Sequence, residues 1–206
     1  MSAELAGKDG FVLILASIFV LSLTSPFFTK LEAYFTAFVL EHPISAALFM
    51  ACVAAGKVVA QPLWVLLTGM RSLAAVFRLA ALAWGVSAGL FFLMGHLEPW
   101  GTMLSAFLFG GASGGVFRAL WSLLARSAAI NASDTTRRFG LFTFFSKTAQ
   151  AISILVIGQM LSLFDYQAIG GQPFLMALMS GIPAVGALIL GGVSFLIAAR
   201  LSAKST

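Results

Sequence analysis

Six apolar runs, each about long enough to cross a bilayer, alternate with short polar stretches along this chain. A helix needs about 20 mostly apolar residues to span the hydrocarbon layer. The runs predict helices over Gly10–Phe28, Ile44–Thr68, Ser72–Gly95, Thr102–Ala125, Phe139–Phe164 and Pro173–Ala199. The loops are short, so neighbouring helices are expected to pack antiparallel. The expectation is an all-α polytopic membrane protein: one six-helix bundle over residues 1–206, with no soluble domain and no linker. The first run meets Ser25-Pro26-Phe27-Phe28 instead of a small-x-small cleavage site. It therefore reads as a retained helix, not a signal peptide.

Three cations interrupt the runs. Lys57, Arg118 and Lys147 sit inside them, and no Asp or Glu lies deep in any run. A cation in hydrocarbon costs at least about 2.5–3.5 kcal/mol, so such residues face a protein interior or a wet cavity and are paired there. Their balance is expected from a solute, a backbone carbonyl or another polypeptide. Lys57 falls near the middle of its run, with Gln61 one turn on and Trp64 nearly two turns on along the same face. A cation, an amide and an indole on one face suit a polar solute; the plainer reading is a structural lysine bonded to helix carbonyls. Arg118 lies roughly 12 Å inside its end of the fourth run, at 1.5 Å per residue. It shares a face with Gly111, Gly114, Trp121 and Ser122. Its planar fork suits a carboxylate or phosphate; the alternative is a lock on a loop carboxylate such as Asp134. Lys147 shares a face with Thr143 and Gln150. It either lines a vestibule with Arg118, at similar depth, or snorkels to the interface. The expected lining of a translocation path is therefore Lys57, Gln61, Trp64, Arg118, Trp121, Lys147 and Gln150.

Composition agrees with the pattern. The chain is 60% hydrophobic and 9% charged, with a mean hydropathy of +1.02, more apolar side chain than a water-soluble surface can hide. The basic pI near 9.9 has its origin in topology. Lys8, Arg71, Arg78, Arg126, Arg137, Arg138, Arg200 and Lys204 lie in or beside the N-terminus, the second and fourth loops, and the C-terminus. The other loops hold only Lys30, and Glu32, Glu41, Glu98 and Asp165 fall mostly on that opposite side. The asymmetry predicts both termini in the cytosol and a plasma (inner) membrane protein, with no nucleic-acid partner. Cys52 is the single cysteine, so no disulfide framework exists. No cofactor is expected: His42 and His96 lie at outer ends of different runs and form no metal cluster, and there is no phosphate-binding loop.

The fourth run carries Gly110-Gly111-Ala112-Ser113-Gly114-Gly115, two overlapping small-xxx-small pairs. These predict close helix packing, with a flexible, water-accessible segment as the sharper option. Pro62 and Pro183 predict bends, whether fixed or hinged.

Two resemblances follow from these residues. Gly111-Ala112-Ser113-Gly114 with Val116-Phe117 resembles the rhomboid protease serine motif. A nucleophilic serine needs an adjacent base, and Pro173–Ala199 holds no histidine, which leaves at most an inactive relative. The stretch Gly114–Leu120, Ala125-Arg126, Arg137–Phe142 and Thr143–Lys147 resembles the tenth and eleventh helices of the major facilitator superfamily. It is similar to the glycoside–pentoside–hexuronide cation symporters, and its Phe-Gly-Leu-Phe…Lys spacing also resembles the vacuole-effluxer-like branch. Pro62–Arg78 fits the eighth-to-ninth helix connection without its Asp-Arg-x-Gly signature. The symporters' Asp-x-x-Asp-Tyr loop segment is not reproduced, and only Asp134 stands there. The resemblance implies a C-terminal six-helix half with a 3+3 plan, and a lysine, Lys147, facing the sugar and cation path. It also implies a second six-helix bundle, from a separate chain or from a homodimer. The expected function is a half-size transporter subunit that moves a small polar or anionic solute by alternating access. The alternative is a non-transporting scaffold or regulatory subunit in the lipid bilayer.

Overall fold

The computed structural model describes residues 8–40, 45–95, 97, 99–129, 134–164 and 172–202. His42, His96, Glu41, Glu98 and Asp165, together with residues 131–133 of the polar 131–136 loop, fall outside those residues. The described chain forms eight helices: α1 Lys8–Lys30, α2 Glu32–Phe38, α3 Ala46–Val59, α4 Gln61–Met70, α5 Leu73–Met94, α6 Pro99–Ala129, α7 Thr135–Leu163 and α8 Gln172–Ser202. They make six spans long and apolar enough to cross a membrane: Gly10–Phe38, Ala46–Met70, Leu73–Met94, Pro99–Ala129, Thr135–Leu163 and Pro173–Ala199. No strand occurs among the described residues.

The six runs all become helices, and their ends follow local chemistry. Ser45 caps α3 by accepting from the Leu48 N–H at 3.2 Å, and Ser72 caps α5 by accepting from the Ala75 N–H at 3.3 Å. Such hydroxyls satisfy donors the first helical turn leaves free. The second run is two helices: α3 stops at Val59 and α4 restarts at Gln61, with Pro62 in its first turn. Proline has no N–H to offer the preceding turn, so the ladder breaks there. Pro183, by contrast, sits within a continuous α8.

The largest departure from the sequence reading is in the first span. It does not end at Phe28: α1 runs to Lys30, bends at Leu31, and continues as α2 to Phe38. Lys30 and Glu32 therefore belong to the span and not to a loop. One Glu32 carboxylate oxygen is enclosed without a hydrogen-bond partner. Apolar burial outweighs the polar Thr29-Lys30-Leu31-Glu32 stretch here, since Leu31 and Phe35 are fully buried.

The helices pack in a pattern with internal symmetry. Span one lies on spans five and six, span two on span four, and span three on spans four and six. Adding three to each span number, modulo six, returns the same set of pairs. That is the 3+3 plan expressed in packing, without any visible sequence repeat. The core centres on rings from four spans: Phe28 stacks on Phe109 at 3.6 Å and 10°, with Phe91 edge-on at 4.7 Å and Phe49 at 5.5 Å. Glycine sets the tightest contact. A Cβ on Gly110 would overlap the Val53 carbonyl, and one on Gly56 would overlap the Phe107 carbonyl. Gly110→Ala should lower stability by about 1–3 kcal/mol, the usual cost of overpacking. Gly89 has open space around it, so Gly89→Ala should be neutral or raise stability by up to about 1 kcal/mol through helix propensity. Thermal unfolding of the two variants in detergent checks the contrast.

Candidate functional site

Spans one, two, four and five enclose a cleft of ≈ 900 Å³. Polar side chains gather in its lining, among apolar ones such as Leu21, Phe117, Phe139 and Ile154. Span one contributes Ser22, Ser25, Thr29 and Lys30; span two, Lys57 and Gln61; span four, Ser113, Arg118, Trp121 and Ser122; span five, Gln150. No carboxylate is among the lining residues.

The close approach of α6 to α3 and α4 builds the span-two wall. A Cβ on Gly114 would stand 3.5 Å from the Lys57 Cα and 3.3 Å from the Gln61 Nε2. Lys57 and Gln61 thus lie directly over the glycine face, one turn above Arg118. Trp64 does something else. Its indole is buried and its Nε1–H donates to the Gly111 carbonyl at 2.9 Å. It packs where a side chain on Gly115 would be and does not line the cleft. Gly56, Ala60 and Trp64, four residues apart, form the edge of span two that packs on Gly111 and Gly115, whereas Lys57 and Gln61 form the edge beside Gly114. Trp64 anchors span two to span four.

Arg118 lines the cleft, and the alternative, a lock on Asp134, does not form. Its Nε is enclosed and has no hydrogen-bond partner. Asp134 lies roughly 14 Å further along the bundle axis, counting 1.5 Å per residue from the Phe28–Phe109 stack and the Ser22–Ser146 hydrogen bond of 2.8 Å. The loop-side arginine that is locked is Arg138. It donates to the Ser127 hydroxyl at 2.8 Å and the Ser127 carbonyl at 3.1 Å, and stands over the Phe11 ring at 5.0 Å. Trp121 closes that end of the cleft against Phe142 at 5.1 Å and Phe139 at 5.9 Å.

Lys147 is exposed and is absent from the lining, whereas Gln150 is in it. The same axial count, with 1.5 Å per residue, places Lys57 and Lys147 level, roughly 8 Å from the aromatic stack. Arg118 is roughly 6 Å farther from the stack, about one helical turn nearer the Arg126 end, so its depth does not match that of Lys147. Ser113, the residue of the rhomboid-like motif, donates its hydroxyl to the Gly110 carbonyl at 3.0 Å. No group of His, Cys, Asp and Glu able to hold a metal occurs among the described residues.

Lys30 and the span-one hydroxyls are additions to the predicted site. Ser22, Ser25 and Thr29 recur at i, i+3 and i+7, one helical face. That signal is present in the sequence, but it is read only if the helix is carried past Phe28.

The sequence profile of the family described as MFS/sugar transport protein matches residues 1–202. No curated protein and no solved structure matches the chain.

If the cleft is wet, cysteines placed at Ser25, Gln61 and Gln150 in a Cys52→Ala background should react with a charged methanethiosulfonate. The reagent needs a hydrated thiolate. A cysteine at Leu188, exposed on α8, should stay unmodified in membranes, and labelling rates measure the difference.

Proposed function

The chain belongs to the MFS/sugar transport protein family, and from that premise we propose that it is a half-size transporter subunit. It moves a small polar solute by alternating access, together with a second six-helix bundle supplied by a separate chain or by a second copy. The cleft is one wall of the site. Lys57, Gln61, Arg118, Trp121 and Gln150, joined by Lys30, face the solute. Lys147 faces the second bundle at the same level as Lys57. Both termini lie in the cytosol, in a plasma membrane.

The observation that carries this reading is where the polar surface falls. The two spans least covered by the rest of the bundle, two and five, flank the cleft and carry Lys57 and Lys147. Lipid is a poor neighbour for those two faces, because an unpaired ammonium at mid-span is costly there. A second bundle closing over the cleft covers both at once.

Proteoliposome uptake of a sugar panel tests the proposal. Lys57→Gln should cut uptake about tenfold or more, the loss of one charge-assisted contact. The active particle should hold two six-helix bundles, with a mass of twice the 21.7 kDa chain for a homodimer. Uptake by a lone 21.7 kDa monomer sinks the two-bundle scheme. Uptake by an intact two-bundle particle that is indifferent to Lys57 assigns the chain to scaffolding instead.

A further inference from the structure

The cations of the cleft form a ladder. Counting 1.5 Å per residue from the Phe28–Phe109 stack, Lys30 lies about 3 Å to one side, Lys57 roughly 8 Å to the other, and Arg118 roughly 14 Å. They come from three different spans and line one cavity. Lys30 has Glu32 two residues on, near enough to interact electrostatically. Lys57 and Arg118 have nothing comparable. Among the described residues no carboxylate forms an ion pair with either, and the Arg118 Nε is enclosed without a partner.

A second copy of this chain would not supply the missing charge. Its acids are Glu4, Asp9, Glu32, Glu41, Glu98, Asp134 and Asp165. None falls in the interior of spans two to six. A homodimer would place twice as many cations around the cavity and still no carboxylate at the depth of Lys57 and Arg118. Cations so placed retain their charge only against a partner, and neither this chain nor a second copy of it brings one to that depth.

We propose that the solute is an acidic sugar, a carbohydrate whose carboxylate or phosphate docks between Lys57 and Arg118. This rests on the transporter reading above and narrows it from any small polar solute to an anionic one. The guanidinium fork takes two oxygens of the oxyanion and the ammonium a third or the same pair. Gln61 and Gln150, with the Ser25 and Thr29 hydroxyls, are left for the sugar's own hydroxyls. Trp121, exposed in part beside Arg118, offers a flat apolar face for the ring.

The test uses the purified protein, with any polypeptide that co-purifies, in nanodiscs. Thermal stability and tryptophan fluorescence are followed against glucose, glucuronate and glucose 6-phosphate. Glucuronate, glucose 6-phosphate or both should stabilise the protein, and glucose should not. A response to glucose 6-phosphate alone assigns phosphate; a response to both acids assigns a shared oxyanion site. Arg118→Gln and Lys57→Gln should each weaken acid binding about tenfold or more. Should either variant fold poorly, the wild-type protein gives an independent answer: raising salt should weaken acid binding and leave glucose unchanged. Glucose binding as tightly as glucuronate, or salt-independent acid binding, overturns the proposal and places the counter-charges on the partner bundle. Silence toward all three sugars overturns it as well. Failure of the underlying transporter reading shows separately, as uptake indifferent to Lys57.

Discussion

Everything at the cleft depends on how closely span two approaches span four. Gly56 and Gly110 bring the two backbones to a separation that no side chain fits, Gly111 and Gly114 keep the helices in close contact, and Gly115 makes room for the Trp64 ring. In a membrane such contact gains dispersion without competition from the hydrophobic effect, because lipid tails are as apolar as the helices. The Trp64 N–H to the Gly111 carbonyl then fixes register along the pair. The consequence is positional. Lys57 and Gln61 have no room to turn between the helices, so they open onto the space beside Gly114. A residue chosen for its smallness thus aims a charge.

The charges in turn limit what the bundle can be on its own. Six spans close an aromatic core around Phe28 and Phe109 without difficulty. The same spans leave Lys57, Arg118 and Lys147 without carboxylates at their depth. Neutral hydroxyls on span one line the same cleft, but Ser22 already shares its hydrogen bond with Ser146. Arg138 supplies the contrast. It is buried near the helix ends and is satisfied by Ser127 and the Phe11 face. The chain solves the problem of a buried arginine where a structural solution serves, and leaves it open at Arg118.

Much of this was legible in the residues. The number of spans, their order and the glycine contact follow from apolar length and small-residue spacing. Lys57, Gln61, Arg118, Trp121 and Gln150 share one cleft as their positions suggested. The readings that failed did so at the edges of a face or the end of a run. Trp64 belongs to the Gly56–Ala60 edge that packs on span four, beside the Lys57–Gln61 edge that opens onto the cleft. Lys30 joined the cleft because Leu31 and Phe35 draw the first span past a polar stretch that resembles a loop. Lys147 shares a helical face with Gln150, yet only Gln150 reaches the cleft. Spacing gives direction around a helix, but not how far the neighbouring helix extends to cover it.

The packing symmetry ties these strands together. Spans two and five are exchanged by the same operation that leaves the bundle's contacts unchanged. They are also the two least covered by it, and each carries a lysine at the same level. If spans two and five faced lipid, the cost would be incurred twice, once on each side of the pseudo-axis. Facing a second bundle, the two lysines border one enclosed space together with Arg118. On the two-bundle proposal, this symmetry favours a second bundle placed across the cleft, in contact with both of its flanking spans.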